Sequence, residues 1–138
     1  MALVLDTGVL YAALDEHDPD HEACTQLLSS MNEDLVIPEP VLVELDYWVR
    51  KFASPDAWLV FCEDIASGAY TLFCLNRDSA LAAARLEASY TDLRLGFVDA
   101  AVFVVVEALG ETKVATLDHR HFSTLRTARG RALTLLPE

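Results

Sequence analysis

The chain has 138 residues, of which 53% are hydrophobic and 23% charged, so it can bury a core and is too apolar to be disordered. Its formal net charge of −12 argues against a general polyanion binder, because basic side chains supply most non-specific affinity for nucleic acid. We expect one domain over residues 1–138, with no targeting segment and no apolar run long enough to cross a bilayer. The three cysteines lack CxxC spacing, which is typical of reduced thiols in a cytoplasmic protein.

Strand-like and helix-like segments alternate along the whole sequence. The strand candidates are continuous apolar runs, as expected for strands covered on both faces, at residues 2–5, 35–37, 71–75, 114–117 and 133–136. This alternation is typical of α/β proteins with a mainly parallel sheet. We therefore predict an α/β fold around about five strands.

Helical patterns fill the gaps between the strands. Six helices are predicted, and their starts lie after Asp6, near Asp20, after Pro40, at Ser54-Pro55-Asp56, at Asp78 and after Gly96. The sixth helix should end at Gly110, and because it is apolar all round it should be buried. A short seventh helix is expected at residues 122–126.

Four acidic residues lie where the surrounding segment is apolar. Asp6 and Asp118 each end a strand-like run, Glu44 interrupts an apolar helix face, and Asp99 lies in the first turn of the buried helix. The carboxyl ends of parallel strands meet at one edge of a sheet, so that edge can collect all four. Carboxylates near apolar packing are unfavourable unless they are compensated, and no set of buried lysines or arginines stands opposite them. A divalent cation such as Mg²⁺ or Mn²⁺, which prefers oxygen ligands, is the economical compensator.

Each acid also has a simpler structural interpretation. Asp6 fits a helix cap, and Asp99 complements a helix dipole. Caps are commoner than ligands for any single residue, whereas four acids together favour a metal site. The acidic, histidine-containing stretch at residues 15–22 is interpreted as a solvated loop, because Pro19-Asp20 forms a turn and a cap.

The basic residues occur late in the chain. Residues 1–70 contain 14 acids and 2 bases, whereas residues 71–138 contain 8 of each. An anionic substrate is therefore expected to approach the side of the late arginines, namely Arg120, Arg126, Arg129 and Arg131. Aromatic side chains on the third and fourth helices are interpreted as core or as a partner surface, and they are Trp48, Phe52, Trp58 and Phe61.

The motifs around the four acids resemble those of PIN domains. They are VLDTGVL at residues 4–10, VEL at 43–45, GFVDAA at 96–101, and TLD at 116–118 followed by His121-Phe122. Their order is that of the family, and the resemblance extends from Leu3 to Pro137. In size the chain is most similar to the VapC-type toxins of bacterial toxin–antitoxin pairs. The resemblance implies the PIN-like three-layer α/β/α fold.

The resemblance also implies a Mg²⁺- or Mn²⁺-dependent endoribonuclease toxin that hydrolyses RNA phosphodiester bonds by metal-activated water. Such proteins are usually homodimers silenced by a cognate antitoxin, and the implied products carry a 5′-phosphate and a 3′-hydroxyl. Carried over by position, Asp6, Asp99 and Asp118 would be metal ligands. Glu44 would hold a second ion or orient the attacking water.

Further residues are weaker candidates. The resemblance implies that Thr7 and Thr116 are supporting hydroxyls, and that Asp92 falls where many relatives carry an acid. His119, Arg120 and His121 follow the last acid and are candidates for contact with RNA phosphates or for orienting a leaving group, although a polar loop explains them equally well. Arg126 is a further candidate for RNA contact, with a solubilising role or contact with the antitoxin as alternatives.

Two other functions compete with the toxin ribonuclease. One is a catalytically silent PIN-like module that binds RNA or an antitoxin without cleaving. The other is a receiver-like, phosphate-handling signalling domain, which would pair two acids after the first strand and place a lysine at the end of the last core strand. Here Asp6 stands alone and Lys113 begins a strand, so the receiver interpretation is disfavoured.

Overall fold

The computed structural model describes all 138 residues. Its five strands are β1 (Ala2–Leu5), β2 (Asp34–Pro38), β3 (Thr71–Phe73), β4 (Lys113–Ala115) and β5 (Thr134–Leu136). Its seven helices are α1 (Thr7–Leu14), α2 (His21–Ser30), α3 (Glu39–Phe52), α4 (Pro55–Ala66), α5 (Arg77–Ser89), α6 (Phe97–Ala108) and α7 (His119–Phe122). A 3₁₀ turn at Thr91–Leu93 precedes α6, and no helix is long and apolar enough to span a membrane.

All strand pairs in the sheet are parallel, and the strand order is β3-β2-β1-β4-β5. The central strand β1 pairs with β2 on one side and β4 on the other, with Val4 aligned to Val36 and Val114. Successive side chains of a strand point to opposite faces, and Leu3 and Val4 are both fully buried, so helices cover both faces. The predicted three-layer α/β/α fold with a parallel sheet is confirmed.

The order of the strands fixes where a site can form. The chain passes from β1 to β2 on one side and returns to β4 on the other, so a topological switch point lies between β1 and β4. In open α/β sheets, ligands bind outside the carboxyl ends of the strands at such a point. The carboxyl ends of β1 and β4 are therefore the expected place for chemistry.

The residues that the hydrophobic pattern predicts to be buried are buried in the centre of the sheet, but not all of them are buried at its edges. As predicted, α6 is largely buried, with Val102, Val105 and Val106 fully so. The expectation that every strand is covered on both faces is wrong for β3, where Leu72 is 37% exposed. The reason is that β3 is an edge strand, which has a partner on one side only.

Capping side chains explain most helix boundaries. Ser54 accepts a 3.0 Å hydrogen bond from the Ala57 N–H and starts α4 as predicted. Asp20 precedes α2 but makes no capping hydrogen bond with its side chain. The prediction of a short helix at residues 122–126 is wrong, because Asp118 accepts a 3.1 Å hydrogen bond from the His121 N–H and starts α7 at His119.

The acidic stretch between α1 and α2 is a turn, as predicted. The Asp15 carboxylate accepts from the His17 N–H at 3.0 Å, and the Asp18 carboxylate accepts from the Asp20 N–H at 2.8 Å. These carboxylates are therefore used in local turn hydrogen bonds.

Candidate metal centre

The structure brings the four predicted acids into one cleft. Asp6 follows β1 directly, Asp118 follows β4, Asp99 is the third residue of α6, and Glu44 lies in α3. Together they line an open cleft of about 540 Å³ at the carboxyl edge of the sheet. No lysine or arginine lines this cleft. Four separate elements thus deliver carboxylates, without a compensating cation, to the switch point between β1 and β4.

Asp6 is the most buried of these acids, with 5% of its surface exposed. One carboxylate oxygen accepts a 2.8 Å hydrogen bond from the Thr7 N–H, and the other accepts one from the Thr116 hydroxyl, also at 2.8 Å. Asp6 therefore does cap α1, as the simpler interpretation proposes. Each carboxylate oxygen has two lone pairs, so capping leaves acceptor positions for a cation.

Thr116 links two of the acids. Its hydroxyl donates to Asp6 and accepts a 2.9 Å hydrogen bond from the Asp118 N–H, and the residue is fully buried. The segment after β4 is thereby tied to the end of β1. Thr7 lines the same cleft, and its buried hydroxyl has no hydrogen-bond partner.

The electrostatics of the cleft fit a cation. Burial raises the pKa of Asp6 to about 6, against the opposing hydrogen bond from Thr116 and with support from the negative charge of Asp99. Burial also raises the pKa of Asp99, and the negative charge of Asp118 raises it further. Crowded, partly desolvated carboxylates of this kind are unfavourable when ionised, and a divalent cation relieves both burial and mutual repulsion.

A histidine completes a compact group of possible ligands. One ligand atom each from Asp99, Asp118 and His121 lies within 4.8 Å of the others. His121 Nδ1 is 2.7 Å from Asp118 Oδ2 and 3.5 Å from Asp99 Oδ2. The sequence predicted His121 only as a candidate for RNA contact or for orienting a leaving group, and not as a metal ligand. The sequence feature that could have identified it as a ligand is its position three residues after Asp118, the acid that caps the same helix.

Comparison with known proteins identifies the family. The PIN-domain model matches residues 3–127. Ribonuclease VapC26 of Mycobacterium tuberculosis is 36% identical over 135 residues, which cover 98% of this chain and 100% of the relative.

The chain belongs to the PIN-domain family. The family expected from the motifs, the VapC-type ribonucleases, is therefore confirmed, and with it the class of enzyme.

Solved structures agree on the PIN-domain fold. The M. tuberculosis toxin VapC20, which cleaves the sarcin–ricin loop, superposes with a TM-score of 0.76 at 19% identity and covers 81% of this chain and 86% of its own. VapBC2 from Rickettsia felis, bound to a DNA fragment from its promoter, gives 0.66 at 20% identity with coverages of 98% and 97%. VapBC from Salmonella typhimurium, also bound to DNA, gives 0.67 at 19% identity with coverages of 98% and 98%.

Two of the predicted site acids, Glu44 and Asp92, are exposed. Glu44 is exposed on α3, so the energetic argument from burial does not apply to it, although it lines the cleft of this PIN domain. Asp92 is exposed in the 3₁₀ turn and does not line the cleft.

The late basic residues do not converge on the cleft. His119 and Arg120 are exposed on α7, next to Asp118. Arg126 is exposed too, and its guanidinium donates 2.9 Å hydrogen bonds to the carbonyls of Ser123 and Leu125.

Two arginines lie at the other end of α6. Arg129 and Arg131 line a separate cleft of about 270 Å³ with Glu107 and Glu111. Glu107 is eight residues beyond Asp99 on α6, which is about 12 Å along the helix axis. Arg129 and Arg131 therefore do not lie at the acidic cleft, because the chain carries them past the end of α6 that is remote from the acids. The approach of an anion on their side stays a prediction.

An exposed apolar surface runs along α3 and α4. We call the following residues the α3–α4 apolar surface: Val43, Tyr47, Trp48, Phe52, Leu59 and Val60, all of which are exposed. The rings of Trp48 and Phe52 are stacked with centroids 5.4 Å apart. Of the four aromatic residues singled out in the sequence, Phe61 is core and Trp58 is half-buried against the core, whereas Trp48 and Phe52 belong to this surface.

Proposed function

We propose that this PIN domain is the endoribonuclease toxin of a toxin–antitoxin pair and that it hydrolyses RNA phosphodiester bonds at the acidic cleft. The observation that carries the proposal is the convergence of four carboxylates, from α3, α6 and the ends of β1 and β4, on one cleft that no basic residue lines. Ribonuclease VapC26, which is similar over nearly the whole chain, supports the same reaction. We also propose one domain over residues 1–138 and a cytoplasmic location.

The proposed cofactor is Mg²⁺ or Mn²⁺. Asp6, Asp99 and Asp118 would hold the ion, because they are the most buried acids of the cleft and each presents carboxylate oxygen to it. When bound, the ion supplies positive charge that screens the phosphodiester and lowers the pKa of a bound water.

The protein residues position the reactants around that charge. The Thr116 hydroxyl donates to the Asp6 carboxylate and accepts from the Asp118 N–H. These two hydrogen bonds hold Asp6 and the Asp118 backbone in position before the reaction begins. We propose that the exposed carboxylate of Glu44 accepts a proton from the attacking water or holds a second ion. We propose that His119 and Arg120, exposed beside Asp118, contact the RNA backbone.

The proposed partners are a cognate antitoxin and a second copy of this chain. The α3–α4 apolar surface is a candidate contact area, because contiguous exposed aromatic and aliphatic side chains mark protein interfaces. The solved VapBC structures from R. felis and S. typhimurium contain toxin and antitoxin together on DNA.

The two competing functions make different predictions. A receiver-like domain uses the strand order 2-1-3-4-5, whereas this sheet has the order β3-β2-β1-β4-β5, so that alternative is set aside. A catalytically silent binding module would have the same fold as the proposed enzyme and would differ from it only in not cleaving RNA. Only an assay of cleavage separates it from the proposed enzyme.

The test is cleavage of total cellular RNA by the antitoxin-free protein with Mg²⁺ or Mn²⁺. We expect discrete fragments from the wild type and none from the double variant Asp6→Asn with Asp99→Asn. A matched control, Glu63→Gln with Asp64→Asn on the exposed face of α4, removes two acids outside the cleft and should cleave like the wild type. Metal binding without any cleavage would favour the silent module, and equal cleavage by the cleft variant would refute the proposed site.

A further inference from the structure

We propose that His121 is a nitrogen ligand of the metal site and makes that site prefer Mn²⁺ over Mg²⁺. This inference rests on the proposed function and assigns a residue that the acidic motifs leave out. It concerns the choice of ion by this particular chain.

The distances from the His121 imidazole nitrogen to the two nearest carboxylate oxygens are similar to the distance between adjacent ligand atoms of one metal ion. His121 Nδ1 lies 2.7 Å from Asp118 Oδ2 and 3.5 Å from Asp99 Oδ2. Two adjacent ligand atoms on an octahedral ion with bonds of about 2.1 Å lie about 3.0 Å apart. The observed distances bracket that value, so all three atoms can belong to one coordination sphere.

A simple hydrogen bond does not account for this nitrogen. Nδ1 is buried and no atom meets hydrogen-bond geometry with it, although Asp118 Oδ2 is near. The other oxygen, Asp118 Oδ1, accepts from the His121 N–H and caps α7. The capping bond therefore uses Oδ1 and leaves Oδ2 beside Nδ1. Nδ1 therefore lies in ion-pair contact with two carboxylates but makes no hydrogen bond to either, an arrangement that a shared cation would satisfy.

Of the two histidines of α7, only His121 contacts the acids Asp99 and Asp118. Residues three apart on a helix lie on the same face, so the cap at Asp118 places His121 on the side of that acid. Phe122, fully buried, anchors the turn in the core. The His121 side chain is 21% exposed, whereas His119 is exposed to solvent.

The chemistry of the donor set then decides between the ions. Mg²⁺ is hard, takes oxygen ligands and dehydrates reluctantly. Mn²⁺ also binds carboxylates, but as a first-row transition ion it gains more from an imidazole nitrogen than Mg²⁺ does. A site with three carboxylates and one imidazole should therefore hold Mn²⁺ more tightly than the same site with an amide in place of the ring.

The test combines calorimetry with pulsed electron paramagnetic resonance of bound Mn²⁺, using the full chain without antitoxin. We expect ¹⁴N coupling to Mn²⁺ in the wild type and its loss in His121→Gln. The same variant should bind Mn²⁺ about tenfold more weakly or worse, with a loss of roughly twofold or less for Mg²⁺. His119→Gln on the same helix is the matched control and should keep the coupling and both affinities. Thermal unfolding of each variant shows whether it is folded.

The outcomes separate this inference from the proposed function. Mn²⁺ binding by the wild type without ¹⁴N coupling, or an unchanged ratio of Mn²⁺ to Mg²⁺ affinity in His121→Gln, overturns the role of His121 and leaves the acidic site standing. Failure of the wild type to bind either ion overturns both. A second variant, His121→Asn, tests a purely structural role. If it binds Mn²⁺ as tightly as the wild type although the bound ion shows no ¹⁴N coupling, His121 only supports Asp118.

Discussion

The Thr116 hydroxyl donates a 2.8 Å hydrogen bond to the Asp6 carboxylate, across a chain separation of 110 residues. Both residues are buried, and the bond joins the segment after β4 to the end of β1. The same hydroxyl accepts from the Asp118 N–H. The geometry of two acids of the cleft therefore depends on one threonine.

Replacement of this hydroxyl should reduce stability and disturb the site. In Thr116→Val the buried Asp6 oxygen loses its donor and the Asp118 N–H loses its acceptor, which should lower the free energy of unfolding by about 1–3 kcal/mol. Urea titration measures this value. Thr116→Ser keeps the hydroxyl and is the control, which should retain most of the stability. Equal stability of the valine and serine variants would show that the hydroxyl bond contributes little.

The pKa of Asp6 predicts how the stability of the metal-free protein depends on pH. Burial raises this pKa to about 6, above the unfolded value of 3.8, so the folded state binds the proton more tightly than the unfolded state. The stabilisation from that proton is complete below pH 4 and is lost as the pH rises through 6. The shift corresponds to roughly 3 kcal/mol at pH 7.

Asp6→Asn isolates the pH-dependent part of this contribution, because an amide does not titrate, and its one oxygen still accepts one of the two hydrogen bonds that Asp6 accepts. In chelator, the difference in unfolding free energy between Asp6→Asn and the wild type should grow in favour of the variant from pH 4 to pH 7. Chemical denaturation at several pH values measures it. A difference that stays constant with pH would contradict the raised pKa.

Divalent ions should stabilise the wild type at neutral pH. An ion that binds only the folded state adds about 2.7 kcal/mol when it is present at 100 times its dissociation constant. Mn²⁺ should therefore raise the unfolding temperature, and a chelator should reverse the effect. The double variant Asp6→Asn with Asp99→Asn should show no such rise. An equal rise in wild type and variant would place the bound ion elsewhere.

The α3–α4 apolar surface should carry self-association. Trp48 is 40% exposed there, so Trp48→Glu should convert a dimer to a monomer in sedimentation experiments, while circular dichroism shows that the chain remains folded. Leu81→Glu on α5 is the matched control, because Leu81 is also a large, exposed apolar residue, at 49%. A dimer that survives Trp48→Glu, or that is lost in Leu81→Glu, would move the interface away from α3.

The features that the sequence predicted best are those that depend on residues close by in the chain. Asp6 and Asp99 were identifiable because each directly adjoins an apolar element whose type and direction the pattern reveals. The convergence of these acids followed from the parallel sheet, in which every strand ends at the same edge.

Features that depend on how elements distant in the sequence are arranged in space were harder to predict. The sequence separation between Arg129 and Asp99 does not reveal that these residues lie beside opposite ends of α6. The exposure of Leu72 required the order of the strands, because only that order makes β3 an edge.

His121 shows a third kind of difficulty. Its contact with Asp118 depends on the start of α7, and that start is set by a single capping hydrogen bond. A shift of the helix to residues 122–126, as the sequence pattern indicated, would place His121 before the helix and not three residues into it. The error in one boundary thus concealed one candidate ligand.

The chemistry of the RNA fragments tests the central claim most directly. Wild-type protein should be incubated with RNA and Mn²⁺ or Mg²⁺, with and without a chelator, and both ends of every fragment should be determined. Hydrolysis at the acidic cleft predicts 5′-phosphate and 3′-hydroxyl ends that appear only with the divalent ion. Fragments with 2′,3′-cyclic phosphate ends, or fragments formed equally in chelator, would contradict metal-assisted hydrolysis by this PIN domain.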